Sequence, residues 1–227
     1  MSRGVLIFFV IILGAAGFFG YTRYDQIRNY LDERSGNYKI EENPDYVVLQ
    51  GAITERGGDR LAALLAKPAI TRLVINGSPG GLIGPALKAA KVIHDRQLKV
   101  TALGECDQAC TVLLAAGAGR IVLADTQMGF HEGPVAGIED TTTGWDQAET
   151  YYTGAGMSAD TLGKVKAAGA APYQPTLREL IEGGFITEVF VQTSGNAIEA
   201  KRWCELHKDQ CDRTGHDNHA AMQAAGG

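Results

Sequence analysis

The sequence predicts an α/β fold with a mainly parallel sheet, preceded by one N-terminal transmembrane helix. Two observations between residues 72 and 132 support the sheet. Apolar, β-branched runs end in turn-forming residues, which is typical of buried strands. Apolar residues at helical spacing follow the first two of these runs. Because strands that alternate with helices are joined by right-handed crossovers, these strands are expected to lie parallel in one sheet.

The central elements follow one another along the chain. A strand at residues 73–75 is stopped by the turn-forming run NGSPGG at residues 76–81. The next segment, residues 82–94, predicts a helix with Pro85 in its first turn, where a helix tolerates proline. A strand at residues 99–103, an almost wholly apolar helix at residues 110–116 and two short strands complete this part of the fold.

Further elements are predicted on both sides. A strand at residues 46–51 and a helix at residues 60–66 form a strand–helix–strand opening. Helices at residues 144–157 and 158–167 follow the central part, the second with Ser158 as its N-cap. Residues 176–191 predict a helix that ends at Gly183-Gly184 and an edge strand at residues 186–191, followed by a last helix at residues 197–208.

The N-terminal segment predicts a membrane anchor. Residues 4–21 carry no charge and match the roughly 17–25 apolar residues that a spanning helix needs. A cleaved signal peptide with the small residues 14–16 as its cleavage site is the alternative, but apolar residues continue past that site. A short N-terminus ahead of a first apolar segment usually stays inside. The chain is therefore expected to cross a bacterial inner membrane once, with its soluble domain in the periplasm.

The chain accordingly divides into four parts. They are an anchor or signal peptide (1–22), a juxtamembrane helix and linker (23–45), an α/β domain (46–212) and a tail (213–227). The tail is polar and rich in small residues, so it is expected to be disordered. The composition, 45% hydrophobic and 21% charged, is that of a globular domain. The net charge of −5 argues against nucleic-acid binding, which needs a basic face.

Three motifs carry a family resemblance. The run SPGG follows one strand, G-x-x-x-x-A-C-T-x-x-x-x-A-G follows the next, and G-F-H lies further along. Over residues 46–190 this combination resembles the proteolytic subunit of Clp protease. More widely, it is similar to the Clp/crotonase superfamily, which includes signal peptide peptidase A and membrane-bound Clp-class proteases. The resemblance implies a Clp/crotonase-like fold of repeated β-β-α units and symmetric homo-oligomers.

The resemblance also implies a catalytic site. The N–H groups of Gly80 and Gly81 would bind the oxyanion, and the N–H of Ala109 would complete the oxyanion hole. His131 would be the general base. The position of the nucleophilic serine falls on Gln108, an amide that cannot form an acyl-enzyme. The third triad residue, an aspartate in the family, would lie near residues 167–172, where the sequence has only alanine, glycine and proline.

The four cysteines predict disulfides. Cys106, Cys110, Cys204 and Cys211 are an even number in a chain expected to be exported, and they allow three connectivities. Cys106 and Cys110 flank a helix start and are close enough to pair if Cys106 lies outside the helix. In one continuous helix, Cys204 and Cys211 would be about 10 Å apart at 1.5 Å per residue, so their pairing requires a break in the helix.

No metal or cofactor is predicted. The cysteines and histidines at positions 204, 207, 211 and 216 are residue types that bind zinc, but their spacing matches no standard zinc module. The SPGG run fits neither phosphate-loop pattern, which argues against a nucleotide. We interpret it as a nest of N–H groups that can bind a carbonyl or carboxylate oxygen.

Two function hypotheses follow. The first is a membrane-anchored, extracytoplasmic relative of Clp-class proteases whose catalysis is impaired and which binds a peptide or protein as a scaffold. The second is an active serine- or cysteine-type peptidase with another nucleophile, Cys106 or Cys110. Each cysteine is two residues from the serine position, which on a helix turns the side chain far around the axis.

Overall fold

The computed structural model describes residues 38–131, 144–169 and 171–226. They belong to a compact unit that runs from Tyr38 to Gly227. The predicted anchor and juxtamembrane helix lie outside the described residues. Among the residues that the structure does describe, no helix is long and apolar enough to cross a membrane.

Eight strands are described, and their order along the chain fixes their labels. They are β1 (Tyr38–Glu42), β2 (Tyr46–Gly51), β3 (Arg72–Ser78), β4 (Lys99–Asp107), β5 (Gly119–Val122), β6 (Gln127–Gly129), β7 (Glu188–Val191) and β8 (Asn196–Glu199). The described helices are α1 (Glu55–Leu65), α2 (Ile83–Asp95), α3 (Ala109–Ala115), α4 (Trp145–Gly154), α5 (Ala159–Ala168), α6 (Leu177–Glu182), α7 (Ala200–Leu206), α8 (Lys208–Cys211) and α9 (Gly215–Gly226).

The strands form one sheet in the order β1-β2-β3-β4-β5-β7-β8, and β6 pairs with the end of β4. The pairs from β2 to β7 are parallel, and so is the β4–β6 pair. The two outermost pairs, β1–β2 and β7–β8, are antiparallel. The predicted α/β fold with a mainly parallel sheet is therefore confirmed.

The centre of the sheet is built from alternating apolar residues. In β3, Leu73 and Ile75 are fully buried, and in β4 the same holds for Val100 and Ala102. These residues pair side by side in register, so their side chains share one face of the sheet. Consequently the carboxyl ends of β3 and β4 lie next to each other, and the loops that follow them meet.

Several sequence predictions about the flanks need correction. Residues 38–42, predicted as linker, form β1, because the alternating Tyr38 and Ile40 bury their side chains in the core. The first helix begins at residue 55 rather than 60, because the Thr54 side chain caps it by accepting a hydrogen bond from Gly57 N–H. The predicted cap Ser158 is confirmed and accepts from Thr161 N–H.

The C-terminal part differs most from the prediction. The strand predicted at residues 186–191 is not an edge, since β7 lies between β5 and β8. The start of the helix predicted at residues 197–208 is the strand β8. The tail predicted to be disordered contains α9, whose buried Asn218 donates hydrogen bonds to Ala124 O (3.0 Å) and Gln210 O (2.8 Å). These two side-chain contacts, one of them to a residue 94 positions away, fix a segment that has little apolar patterning of its own.

Candidate functional site

A single residue, Gln108, connects β4 to α3. Its backbone has φ 41° and ψ −103°, a conformation that a residue other than glycine rarely adopts. Its side chain is only 1% exposed. Such a conformation costs about 1–3 kcal/mol and persists only where the surroundings enforce it. The candidate nucleophile position of the sequence therefore lies in a strained, buried strand-to-helix turn.

Hydrogen bonds from three elements hold this turn. The Gln108 N–H donates to Gly129 O on β6 (2.9 Å). The Gln108 carbonyl accepts from the Thr111 hydroxyl (2.6 Å), and the Tyr152 hydroxyl of α4 lies 3.5 Å from the same carbonyl. The Thr111 and Tyr152 oxygens are 2.8 Å apart. Because Thr111 already donates to Gln108, Tyr152 is the donor in this last contact.

The glycine loop after β3 packs directly against the turn. Gly80 and Gly81 have φ of 97° and 132°, values that favour glycine. A side chain on Gly80 would place its Cβ 2.9 Å from Asp107 O and 3.3 Å from Gln108 Cβ. The structure thus brings Gly80 and Gln108 together.

Ile53 lies beside Gly81 and forms main-chain hydrogen bonds with both of its neighbours. The Ile53 N–H donates to Gly80 O (2.8 Å), and Ile53 O accepts from Leu82 N–H (2.8 Å). In this parallel bridge, the N–H and C=O of Gly81 itself point away from Ile53. Neither group has a hydrogen-bond partner among the described residues. This free N–H and the N–H of Ala109, the first residue of α3, are the predicted oxyanion donors.

His131 lies just after β6, two residues beyond the Gly129 that accepts from Gln108. It is 7% exposed, and its buried Nδ1 has no hydrogen-bond partner in the described part of the chain. Burial lowers the pKa of His131, so its neutral form is favoured. A neutral imidazole is the form that a general base requires.

The end of the segment expected to supply the third triad residue, 167–172, lies close to β6, since a Cβ on Gly129 would come 3.1 Å from Pro172 Cβ. Phe130, the residue after β6, exchanges two main-chain hydrogen bonds with Tyr173, of 2.9 Å and 2.7 Å. Neither this segment nor Tyr173 carries an acidic side chain. Residues 167–172 therefore supply no acid to this site.

Asp107 is an acidic residue that the sequence prediction overlooked. It immediately precedes Gln108, and its side chain lies over the backbone of Gly129. Burial raises the pKa of Asp107 to about 6, and the nearby charge of Glu105 adds to this effect, while a hydrogen bond from the Gly129 main chain opposes it. In the sequence, Asp107 could have been found only by pairing β4 with β6, because no motif marks it.

A disulfide closes the turn. Cys106 at the end of β4 is bonded to Cys110 in α3, with Cα atoms 5.2 Å apart, and both residues are fully buried. Cys106 also pairs in register with the buried Ser78, which begins the SPGG run. The bond therefore links the glycine loop, the turn and α3. Because both sulfurs are used in this bond, neither is available as a thiolate nucleophile.

The second predicted disulfide is also present. Cys204 and Cys211 are bonded, with Cα atoms 5.3 Å apart, because the helix breaks at His207 between α7 and α8. The break that this pairing requires is therefore found at His207, within the helix predicted at residues 197–208. Among the described residues, no group of three or more histidine, cysteine or acidic side chains is arranged to hold a metal ion.

Comparisons with known proteins add little to this geometry. No protein-family model matches the sequence, and no curated protein matches it. Among solved structures, the enoyl-CoA hydratase from Bacillus halodurans aligns with a TM-score of 0.49 at 12% identity, over 84% of this chain and 86% of that chain. A similarity this remote says nothing about what the present chain binds or catalyses.

Proposed function

We propose that this chain is a catalytically impaired relative of Clp-class proteases that binds peptides without cleaving them. The observation that carries the proposal is the position of Gln108. It occupies the strained turn between β4 and α3, against Gly80 and one strand away from His131. A carboxamide has no nucleophilic oxygen comparable to a serine hydroxyl, so no acyl-enzyme forms there.

Peptide is the ligand that the unpaired main-chain groups of the site favour. Gly81 offers an N–H and a C=O that pair with nothing among the described residues. The carbonyl of an extended peptide would accept from Gly81 N–H and from Ala109 N–H, and its own N–H would donate to Gly81 O. Main-chain pairing of this kind gives affinity for peptides of many sequences.

We further propose that residues 4–21 anchor the chain in a bacterial inner membrane and that the described domain lies in the periplasm. The two disulfides support an oxidising compartment, because cytosolic thiols are kept reduced. Assembly into a homo-oligomer remains a prediction from the resemblance.

The alternative is an active serine- or cysteine-type peptidase with a relocated nucleophile. The disulfide between Cys106 and Cys110 argues against a thiol at either position. Thr111, the hydroxyl residue nearest in sequence to the turn, is fully buried and bonded to Gln108 O and Tyr152. It would have to break both contacts before it could attack a substrate.

Photo-crosslinking tests the proposal. Full-length protein would be irradiated with a pool of unstructured peptides that carry a photoreactive group, and the labelled residues would be mapped by mass spectrometry. We expect labels at residues 78–82 and 127–131 and peptides that remain uncut. Cleavage of the peptides, or labels only at other surfaces, would contradict the proposal.

A further inference from the structure

A groove of about 550 Å³ lies at the opposite end of α3 from Gln108. Its floor is made of the small residues 115–118, where α3 ends and the chain turns toward β5. One wall is the last turn of α4 with Tyr151, and the other is the end of α2 with His94, whose ring meets Tyr151 edge-on at 6.1 Å. The volume is within the range of small-molecule sites, roughly 300–1,000 Å³.

Arg120 is the arginine that lines this groove. Asp95 and Lys91 lie close enough to Tyr151 to act on its pKa. No aspartate or glutamate lines the groove among the described residues. The half-buried guanidinium donates only to main-chain carbonyls, those of Gly117 (2.6 Å), Phe185 (2.7 Å) and Gly184 (2.9 Å), with a long contact to Ala155 (3.5 Å).

These four bonds use four of the five N–H groups of the guanidinium, and the second N–H on Nη1 has no acceptor among the described residues. No described carboxylate forms an ion pair with Arg120 either. Burial without a counter-charge disfavours the charged guanidinium, as the lowered pKa of Arg120 reflects. The helix-end carbonyls offset part of this cost, but a carboxylate is the partner that arginine binds most strongly.

We propose that this groove is a second binding site, for a small organic carboxylate with a flat apolar body. The carboxylate accepts from the remaining N–H of Arg120. The apolar body lies on the small residues 115–118 and against the Tyr151 ring, because a larger side chain in the floor would fill the space. This inference does not depend on the peptide site, since the two sites are built from opposite ends of α3.

Three ligands that differ only in their polar end test whether the groove prefers a negative charge on its ligand. Full-length protein would be titrated with 4-phenylbutyrate, 4-phenylbutanol and 4-phenylbutylamine, with binding followed by saturation-transfer NMR. We expect the carboxylate to bind at least tenfold more tightly than the alcohol, and the amine to bind most weakly. Equal binding of all three, or tightest binding of the amine, would overturn the proposal.

A pair of glycine variants tests the location. Gly154 in α4 lines the groove, and Gly163 in α5 does not; both are exposed, and a Cβ on either would meet nothing within 4 Å. Gly154→Leu should weaken carboxylate binding at least tenfold, whereas Gly163→Leu should leave it unchanged. Full-length protein is handled in detergent, which can itself take up the ligand. Because this uptake is the same for both variants, it does not affect their comparison.

Ala118→Phe, at the exposed end of the groove floor, provides a second block if Gly154→Leu misfolds. Carboxylate binding that persists in folded Gly154→Leu or folded Ala118→Phe would show that the ligand binds elsewhere and would overturn the assignment.

Discussion

We predict that Tyr152, which is distant from Gln108 in the sequence, stabilises the strained turn. Its hydroxyl is fully buried, donates to Thr111 and lies within 3.5 Å of Gln108 O. Tyr152→Phe removes one buried hydrogen bond and keeps the ring contacts with Phe130 and Phe185. Thr111 keeps its bond to Gln108 O, so no donor is stranded. We therefore expect a loss of about 1 kcal/mol in the free energy of unfolding, the usual net worth of one such bond.

The assay is urea unfolding of full-length protein, with Tyr151→Phe as the matched control. Tyr151 is the neighbouring residue on α4, is half-buried, and its hydroxyl makes no hydrogen bond to a described residue. The control should change the free energy of unfolding by less than about 0.5 kcal/mol. Since Tyr152 acts on the turn, Tyr152→Phe should also weaken peptide crosslinking, and Tyr151→Phe should not. Equal stability and equal crosslinking of the two variants would refute this reasoning.

Two further predictions concern the disulfides and Asp107. Replacing Cys106 and Cys110 by alanine should cost roughly 2 kcal/mol of stability, as the loop entropy predicts, and should abolish peptide crosslinking. Replacing Cys204 and Cys211 should cost a similar amount and leave crosslinking intact; loss of crosslinking in both pairs would contradict the role of the first bond. The pKa of Asp107 is raised from 3.8 to about 6 by folding, so stability falls as the pH rises between these two values and stays reduced above them. Asp107→Asn should therefore raise the melting temperature at pH 7.5 and leave it nearly unchanged at pH 3.5, and a lower melting temperature at pH 7.5 would contradict this.

The sequence is sufficient to predict the parts of the fold that depend on local patterns. The apolar runs of β3 and β4, the glycine stop after β3 and the apolar α3 together place Gln108 between a strand and a helix. That Gly80 and the segment of His131 meet this turn is expected from the family resemblance, and no local pattern in the sequence predicts it.

The remaining features depend on contacts between distant residues. Asn218 stabilises α9 through carbonyls of residues 124 and 210, so the polar tail gives no local sign of a helix. Tyr152 reaches Gln108 across 44 positions of the chain. The burial of Asp107 depends on the pairing of β4 with the three-residue strand β6, which is too short to predict a partner.

The central claim is that the turn at Gln108, the glycine loop and His131 form a protease-like site in which the nucleophile and the triad acid are missing. The most direct test is labelling of purified full-length protein with a fluorophosphonate probe, which reacts with activated serines, and with an iodoacetamide probe for thiols. Native protein, Gln108→Ser, and Gln108→Ser combined with His131→Ala would be compared, with folding of each checked by circular dichroism.

We expect native protein to remain unlabelled by either probe, because Gln108 offers no hydroxyl at the turn and the cysteines are bonded in pairs. Gln108→Ser should react with the fluorophosphonate, and the added His131→Ala should remove most of that reaction. Labelling of native protein that depends on His131 would contradict the account and indicate an active hydrolase. A folded Gln108→Ser variant that does not react would show that the site itself is not catalytic.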